Sequence, residues 1–139
     1  MDEKQRLCLV SFSELLDRLS IAQIKELLVS EHRASFSEEI RRLIQDINLI
    51  IKENDLRPTA RFIRLIVVLA QINLHIWHTK DVMMENEDRF DECMKLAHQL
   101  NGIRNRVKNA LLEETGFARP TKKKTNIDTD NLVGWKFSL

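Results

Sequence analysis

The sequence predicts an all-α protein, an antiparallel four-helix bundle with an extended C-terminal tail. The chain of 139 residues contains 3 Gly, 2 Pro and no Tyr. Its commonest residues are Leu, Ile, Glu, Lys and Arg, and this composition favours helix over strand. A chain of this length forms one ordinary domain and buries a substantial core.

Capping residues and helix breakers locate the four helices along the chain. Ser11 caps the first helix, and Glu14, three residues later, completes a capping-box motif. Pro58 suits the first position of the third helix, where its missing N–H costs nothing. Gly116 is a favourable stop for the fourth helix. We therefore predict helices over about 11–32, from 35 or 37 to 54, from 58 into the charged stretch ENEDR, and over about 87–114.

Residues 117–139 have a different character from the predicted bundle domain over 1–116. This tail contains Pro120 and three consecutive lysines and then becomes apolar. Alternating apolar residues are typical of an extended segment that lies on a surface. The tail either covers its own bundle or a twin subunit, or it serves as a linear motif for another protein. The partner-binding residues predicted in it are Val133, Trp135, Phe137 and Leu139.

Charge and cysteine content exclude several classes of function. The net charge of +1, from 22 basic and 21 acidic residues, argues against nucleic acid as a partner. The first twenty residues are too charged for a secretory signal, and the apolar runs are short for a membrane span. These features predict a cytoplasmic protein without a membrane partner. Cys8 and Cys93 match no zinc-site spacing, so we predict reduced thiols, no metal and no cofactor.

Two predicted helices carry polar residues on their apolar faces. On a helical wheel of the third helix, Asn73 falls near the middle of the apolar sector with Trp77, and Asp81 lies at its edge. On the fourth helix, Asn101, Arg104 and Lys108 lie at the centre of the apolar face. Such residues break the binary pattern expected of core positions.

The first helix is apolar on two sides. One of its two stripes also contains Asp17, and Glu14 and Lys25 flank that stripe. A helix with two buried sides is central in its assembly or lies between the bundle and a second subunit. This pattern predicts a homodimer.

The inward polar residues allow two interpretations. In the first, they form a satisfied internal network that fixes helix register in a non-enzymatic interaction or accessory protein. In the second, they line a pocket of a small enzyme or sensor for an anionic metabolite, nucleotide or nucleotide-sugar. There Arg104 and Lys108 bind phosphate or carboxylate, Trp77 stacks on a ring, and Asp17 or Asp81 holds a metal or acts as base. The nine candidate ligand-binding residues are Glu14, Asp17, Lys25, Asn73, Trp77, Asp81, Asn101, Arg104 and Lys108.

Three segments resemble the motifs of an uncharacterised family of small bacterial all-helical proteins. They are ELLDRLSIAQIK at 14–25, INLHIWHTKD at 72–81 and NGIRNRVK at 101–108. The family carries ELLDK-TILEIK, N-x-x-LW-x-x-ED and N-x-x-R-x-x-x-K, and the resemblance covers about residues 9–116. It implies proximity to proteins of surface-sugar synthesis and no known activity. Arg18 stands where the family has Lys, and Lys80 where it has an acid, which argues against a paired-carboxylate metal site.

Overall fold

The computed structural model describes residues 10–117 and confirms an all-α helical bundle. Within that range there are four α-helices and no strand, and a short 3-10 turn joins the last two helices. The predicted tail residues Val133, Trp135, Phe137 and Leu139 lie outside the described residues. The helices are α1 (Phe12–Leu28), α2 (Arg33–Glu53), α3 (Ala60–Glu85) and α4 (Phe90–Glu114), with the 3-10 turn at Glu87–Arg89.

The connection between α1 and α2 differs from the predicted one. The Ser11 hydroxyl caps α1 as predicted, accepting from the Glu14 amide at 3.2 Å. The helix ends at Leu28 rather than near His32, because the chain turns extended at the next residue. His32 adopts a left-handed conformation and its carbonyl starts α2, two residues earlier than the earliest predicted start.

The ends of α3 and α4 follow local capping chemistry. α3 begins at Ala60 rather than at Pro58, because the Thr59 hydroxyl accepts the Phe62 amide at 3.0 Å. Gly116 ends α4 as predicted, with φ at 79°. Its amide donates to a carbonyl oxygen of the last turn at 3.2 Å, and the Phe117 amide makes a second such bond at 2.8 Å. This pair of bonds is a Schellman motif, which accounts for the glycine.

The four helices do not form a square bundle. α1, α3 and α4 pack against one another, whereas α2 approaches only α1 closely among the described elements. Consecutive helices run antiparallel: Ser37 at the start of α2 donates to Glu26 near the end of α1 at 2.9 Å. Thr59 before α3 donates in the same way to Glu114 at the end of α4, at 2.7 Å. The protein is therefore a three-helix core with α2 laid along its first helix.

α1 is the central helix of the chain. One side of it faces α2 and the other side faces α3 and α4. Both apolar sides of α1 thus face helices of the same chain, whereas Leu27 and Leu28 at its end stay exposed. The buried core residues are Phe12, Leu15, Leu16, Ala22, Leu43, Ile47, Leu65, Leu69, Ile72, Ile76, Leu100, Ile103, Val107, Ala110 and Leu111.

α3 has one covered side and one open side. Among the described residues it is the one helix long and apolar enough to cross a membrane by length and composition, although core helices of soluble bundles meet the same criterion. Only 33% of its most apolar window is buried. The open side, called the outer α3 face below, consists of Ile63, Val67, Ala70, Leu74 and Asp81, all of which are exposed.

Glu114 ties the end of α4 to the start of α3. Its carboxylate accepts from the Thr59 hydroxyl at 2.7 Å and from Arg61 Nη1 at 2.9 Å. The hydrogen bond from Thr59, and then that from Arg61, lowers the pKa of Glu114 below its ordinary value of 4.5. A depressed carboxyl pKa stabilises the fold above the unfolded value, and the contribution is lost as the pH falls through the folded value.

We expect the lowered pKa of Glu114 to be measurable in an NMR titration of its carboxyl group. Thr59→Val and Arg61→Met should each raise the pKa of Glu114, because each removes a hydrogen bond to its carboxylate and Arg61→Met also removes a neighbouring positive charge. Arg57→Met is the matched control, since the neighbouring Arg57 is paired with Asp55 instead. A Glu114 pKa that is unchanged in Thr59→Val would contradict the bonding described above.

Candidate functional site

Asp17 is the centre of a polar cluster inside the bundle. It lies in the middle of α1, with 2% of its surface exposed. Asn73 of α3 donates from Nδ2 to Asp17 Oδ1 at 2.8 Å. Lys108 of α4, also 2% exposed, donates from Nζ to Asp17 Oδ2 at 3.3 Å. One carboxylate therefore connects the three core helices.

Two further charged residues complete the cluster at its edges. The Lys108 ammonium also donates to Glu14 Oε2, one turn before Asp17. Arg104 donates from Nη1 to Asn73 Oδ1 at 3.4 Å, and its Nε lies 3.9 Å from Asp17 Oδ1. The acids and bases number two each, so the formal charges cancel. The buried ion-pair cluster consists of Glu14, Asp17, Ser20, Asn73, Arg104 and Lys108.

The cluster is strongly desolvated at its centre. An isolated buried charge costs several kcal/mol, and this cost is offset only when hydrogen-bonded partners surround it. Asp17 accepts hydrogen bonds from Asn73 and Lys108, and the Arg104 guanidinium lies 3.9 Å from its carboxylate. A shift of one helix along its axis would break them together, so the cluster specifies the register of the three-helix core.

Arg104 is the least satisfied member of the cluster. Its side chain is 25% exposed and lies where the cluster meets the surface. Its Nε is buried and has no hydrogen-bond acceptor, the one such side-chain atom in residues 10–117.

Four of the nine predicted residues lie elsewhere. Lys25 faces α2, with its ammonium 5.9 Å from the centre of the Phe36 ring. Asn101 is half-buried and forms no hydrogen bond with a cluster residue among those described. Trp77 and Asp81 line an open groove of about 500 Å³ at the far end of α1. The residues of this end groove are Leu28, Val29, Ser30, Glu31, Trp77, His78 and Asp81.

Helix geometry explains why Trp77 and Asp81 separate from Asn73. Each step of four residues advances about 6 Å along the axis and rotates about 40° past a full turn. Asp81 is therefore about 12 Å further along α3 and about 80° around it. The rotation carries its side chain from the core side of the helix onto the outer face, where it is exposed. The regular spacing of Asn73, Trp77 and Asp81 predicts that their side chains lie together on one side of the helix. The rotation of the helix instead places Asn73 and Asp81 on different sides.

Ser20 is the cluster residue that the sequence did not reveal. Its hydroxyl accepts a second bond from Asn73 Nδ2 at 3.3 Å. Ser20 follows Asp17 by three residues, so it lies on the same side of α1. Its proximity to the predicted acid was the one available signal.

No metal-binding group of side chains is found in the described part of the chain. Within residues 10–117, no three side chains of His, Cys, Asp or Glu come together as metal ligands. Cys93 is a buried free thiol in an apolar part of α4.

The chain was compared with known proteins in three ways. No protein-family model, no curated protein and no solved structure matches it. The resemblance to the small bacterial family therefore remains a prediction from the three motifs.

Proposed function

We propose that the protein is a non-enzymatic helical interaction module that presents the outer α3 face to a partner. The observation that carries this proposal is the exposure of a continuous apolar row on a helix of the core. Ile63 and Val67 are 54% and 51% exposed, and Leu74 is 40% exposed. Continuous exposed apolar patches mark interaction sites on proteins, whereas single exposed apolar residues are common everywhere.

The internal cluster supports the same proposal. Its charges are balanced and bonded to one another, which suits a rigid scaffold better than a site that awaits substrate. A rigid α3 holds its outer face in a shape ready for docking, so little ordering entropy is lost on binding. Covering Ile63, Val67 and Leu74 would contribute about 1 kcal/mol each, because each is already about half buried.

Site-specific photo-cross-linking in the cells that make the protein tests the proposal. A photoreactive amino acid at Val67 should give a discrete adduct. The same amino acid at Gln45, which is exposed on the far side of α2, should give none. If neither position gives an adduct, or both give the same ones, the outer α3 face is not a docking surface.

A second candidate function is recognition of an anionic metabolite, nucleotide or nucleotide-sugar at Arg104. The partial exposure of the Arg104 side chain, 25%, favours it, because a phosphate or carboxylate oxygen could reach the guanidinium from the surface. Thermal-shift screening with phosphorylated metabolites tests it, since a ligand that binds only the native state raises the melting temperature. The shift should disappear in Arg104→Met and persist in Arg106→Met, whose parent residue is exposed two positions further along α4. No shift with any compound counts against this candidate.

A further inference from the structure

The outer α3 face has the spacing of a coiled-coil seam. Its apolar members Ile63, Val67, Ala70 and Leu74 are separated by four, three and four residues. The half-buried Trp77 and the exposed Asp81 continue the row at intervals of three and four. An average spacing of 3.5 residues is the period at which one helix packs along another. No helix in residues 10–117 covers this row, so a helix from outside the described fold fits it.

Charges along the same face are arranged with opposite signs at its two ends. Arg64 flanks the row near the start of α3, whereas Asp81 and Glu85 lie on it near the end, where Lys80 flanks it and leaves a net negative charge. A copy of α3 aligned in parallel would bring each of these acids against its own equivalent. A copy aligned antiparallel would bring the acidic end beside the basic end. Like charges across a helix pair are unfavourable and unlike charges are favourable.

We propose that a second copy of this chain docks on the outer α3 face, with the two α3 helices antiparallel about a two-fold axis near Gln71. This inference rests on the proposed function and names its partner. A two-fold interface uses the same patch on both copies, so a self-complementary face is what it requires. The homodimer predicted from the two apolar sides of α1 is thus proposed again, with its interface on the outer α3 face.

The seam spacing sets a register for this pairing. With the axis at the level of residue 72, next to Gln71, Ala70 of one copy lies opposite Leu74 of the other, and Val67 lies opposite Trp77. Ile63 of one copy then lies opposite Asp81 of the other. Asp81 is therefore close to Arg64 of the copy that supplies Ile63. Small residues alternate with large ones across the pair, as interdigitated helix packing requires. Asp81 keeps contact with solvent and with a cation, so it is not buried unpaired.

Apolar surface next to the row enlarges the interface. Leu27 and Leu28 at the end of α1 are 68% and 50% exposed. Leu28 lines the end groove together with Trp77, so this surface adjoins the seam. The interface remains at the small end of the range for protein pairs, and a micromolar dissociation constant is expected.

Disulfide trapping of the purified full chain tests the antiparallel register. The background variant is Cys8→Ser, and Cys93 stays because it is buried. In the proposed pairing Gln71→Cys meets its own equivalent near the axis and should form a covalent dimer under mild oxidation. Glu85→Cys should not, because the two copies of residue 85 lie at opposite ends. Efficient cross-linking through Glu85→Cys, or none through Gln71→Cys, overturns the proposal.

Light scattering of the same protein provides the independent measurement. The wild-type mass should double across concentrations that bracket about 10 µM. Val67→Lys should remain a monomer with an unchanged circular-dichroism spectrum, and Gln45→Lys should dimerise like the wild type. A wild type that stays monomeric overturns the dimer. If Val67 nevertheless gives an adduct of a different mass in cells, the interaction module stands and only its partner is different.

Discussion

Lys108→Met is expected to lower the free energy of unfolding by about 3–5 kcal/mol. The Lys108 ammonium is 2% exposed and bonds both Asp17 and Glu14. Methionine fills a similar volume, so the loss comes from charge rather than from a cavity. It leaves Asp17, itself 2% exposed, without its closest cation inside the core. Urea unfolding near pH 7, followed by circular dichroism, measures the change.

Two variants separate this effect from a general intolerance of substitution in α4. Lys95→Met changes an exposed lysine of the same helix and should stay within about 0.5 kcal/mol of the wild type. The double variant Asp17→Asn with Lys108→Met removes both buried charges and should recover much of the loss. Glu14 and Arg104 then remain as a balanced pair at the edge of the cluster. If the single Lys108→Met variant is as stable as the wild type, Asp17 is not held by this ion pair.

Phe12→Ala is expected to cost about 3–5 kcal/mol, the usual range for emptying a buried aromatic site. Phe12 is 4% exposed at the start of α1. Its ring stacks on Phe62 of α3 with centroids 6.1 Å apart, and Phe117 packs on it at 6.0 Å. One side chain therefore joins the first helix to the third and to Phe117, three residues beyond the end of α4. Chemical denaturation reports the loss.

Phe36→Ala is the matched control for Phe12→Ala. Phe36 is half-buried on α2, and its ring centre lies 5.9 Å from the Lys25 ammonium of α1. Truncation of Phe36 should lower the free energy of unfolding by less than half as much as truncation of Phe12. The Phe36 ring buries less apolar surface than the Phe12 ring, so its removal leaves a smaller cavity. Equal losses at both positions would mean that the α1–α2 contact stabilises the fold as much as the core does.

The sequence predicted the helices and the centre of the cluster for the same physical reason. Apolar periodicity defines which face of a helix is buried, and Asp17, Asn73 and Lys108 lie in the middle of such faces. Helical periodicity predicts burial less well near the border of an apolar face. Each step of four residues rotates the side chain by about 40°, and this rotation carries border residues off the face. Trp77 and Asp81 left the cluster in this way.

The position of α2 could not be predicted from its own sequence. Its apolar row, with Leu43 and Ile47 buried, requires a covering helix but does not say which one. The answer depends on α1, which offers two apolar sides and places α2 on one of them. The position of the Lys25 side chain depends on the same arrangement. It faces α2 because α2 occupies that side of α1. Contacts between distant elements therefore had to come from the structure.

The single-sided attachment of α2 divides the protein into parts of unequal stability. An opening that frees α2 breaks its packing on α1 but leaves the other three helices in contact. None of the six residues of the buried ion-pair cluster lies on α2, so their bonds survive such an opening. Amide hydrogens of α2 should consequently exchange with solvent at a lower opening free energy than those of α3 and α4. The opening free energy therefore differs along the chain, with a three-helix unit that stays folded and a fourth helix that detaches first.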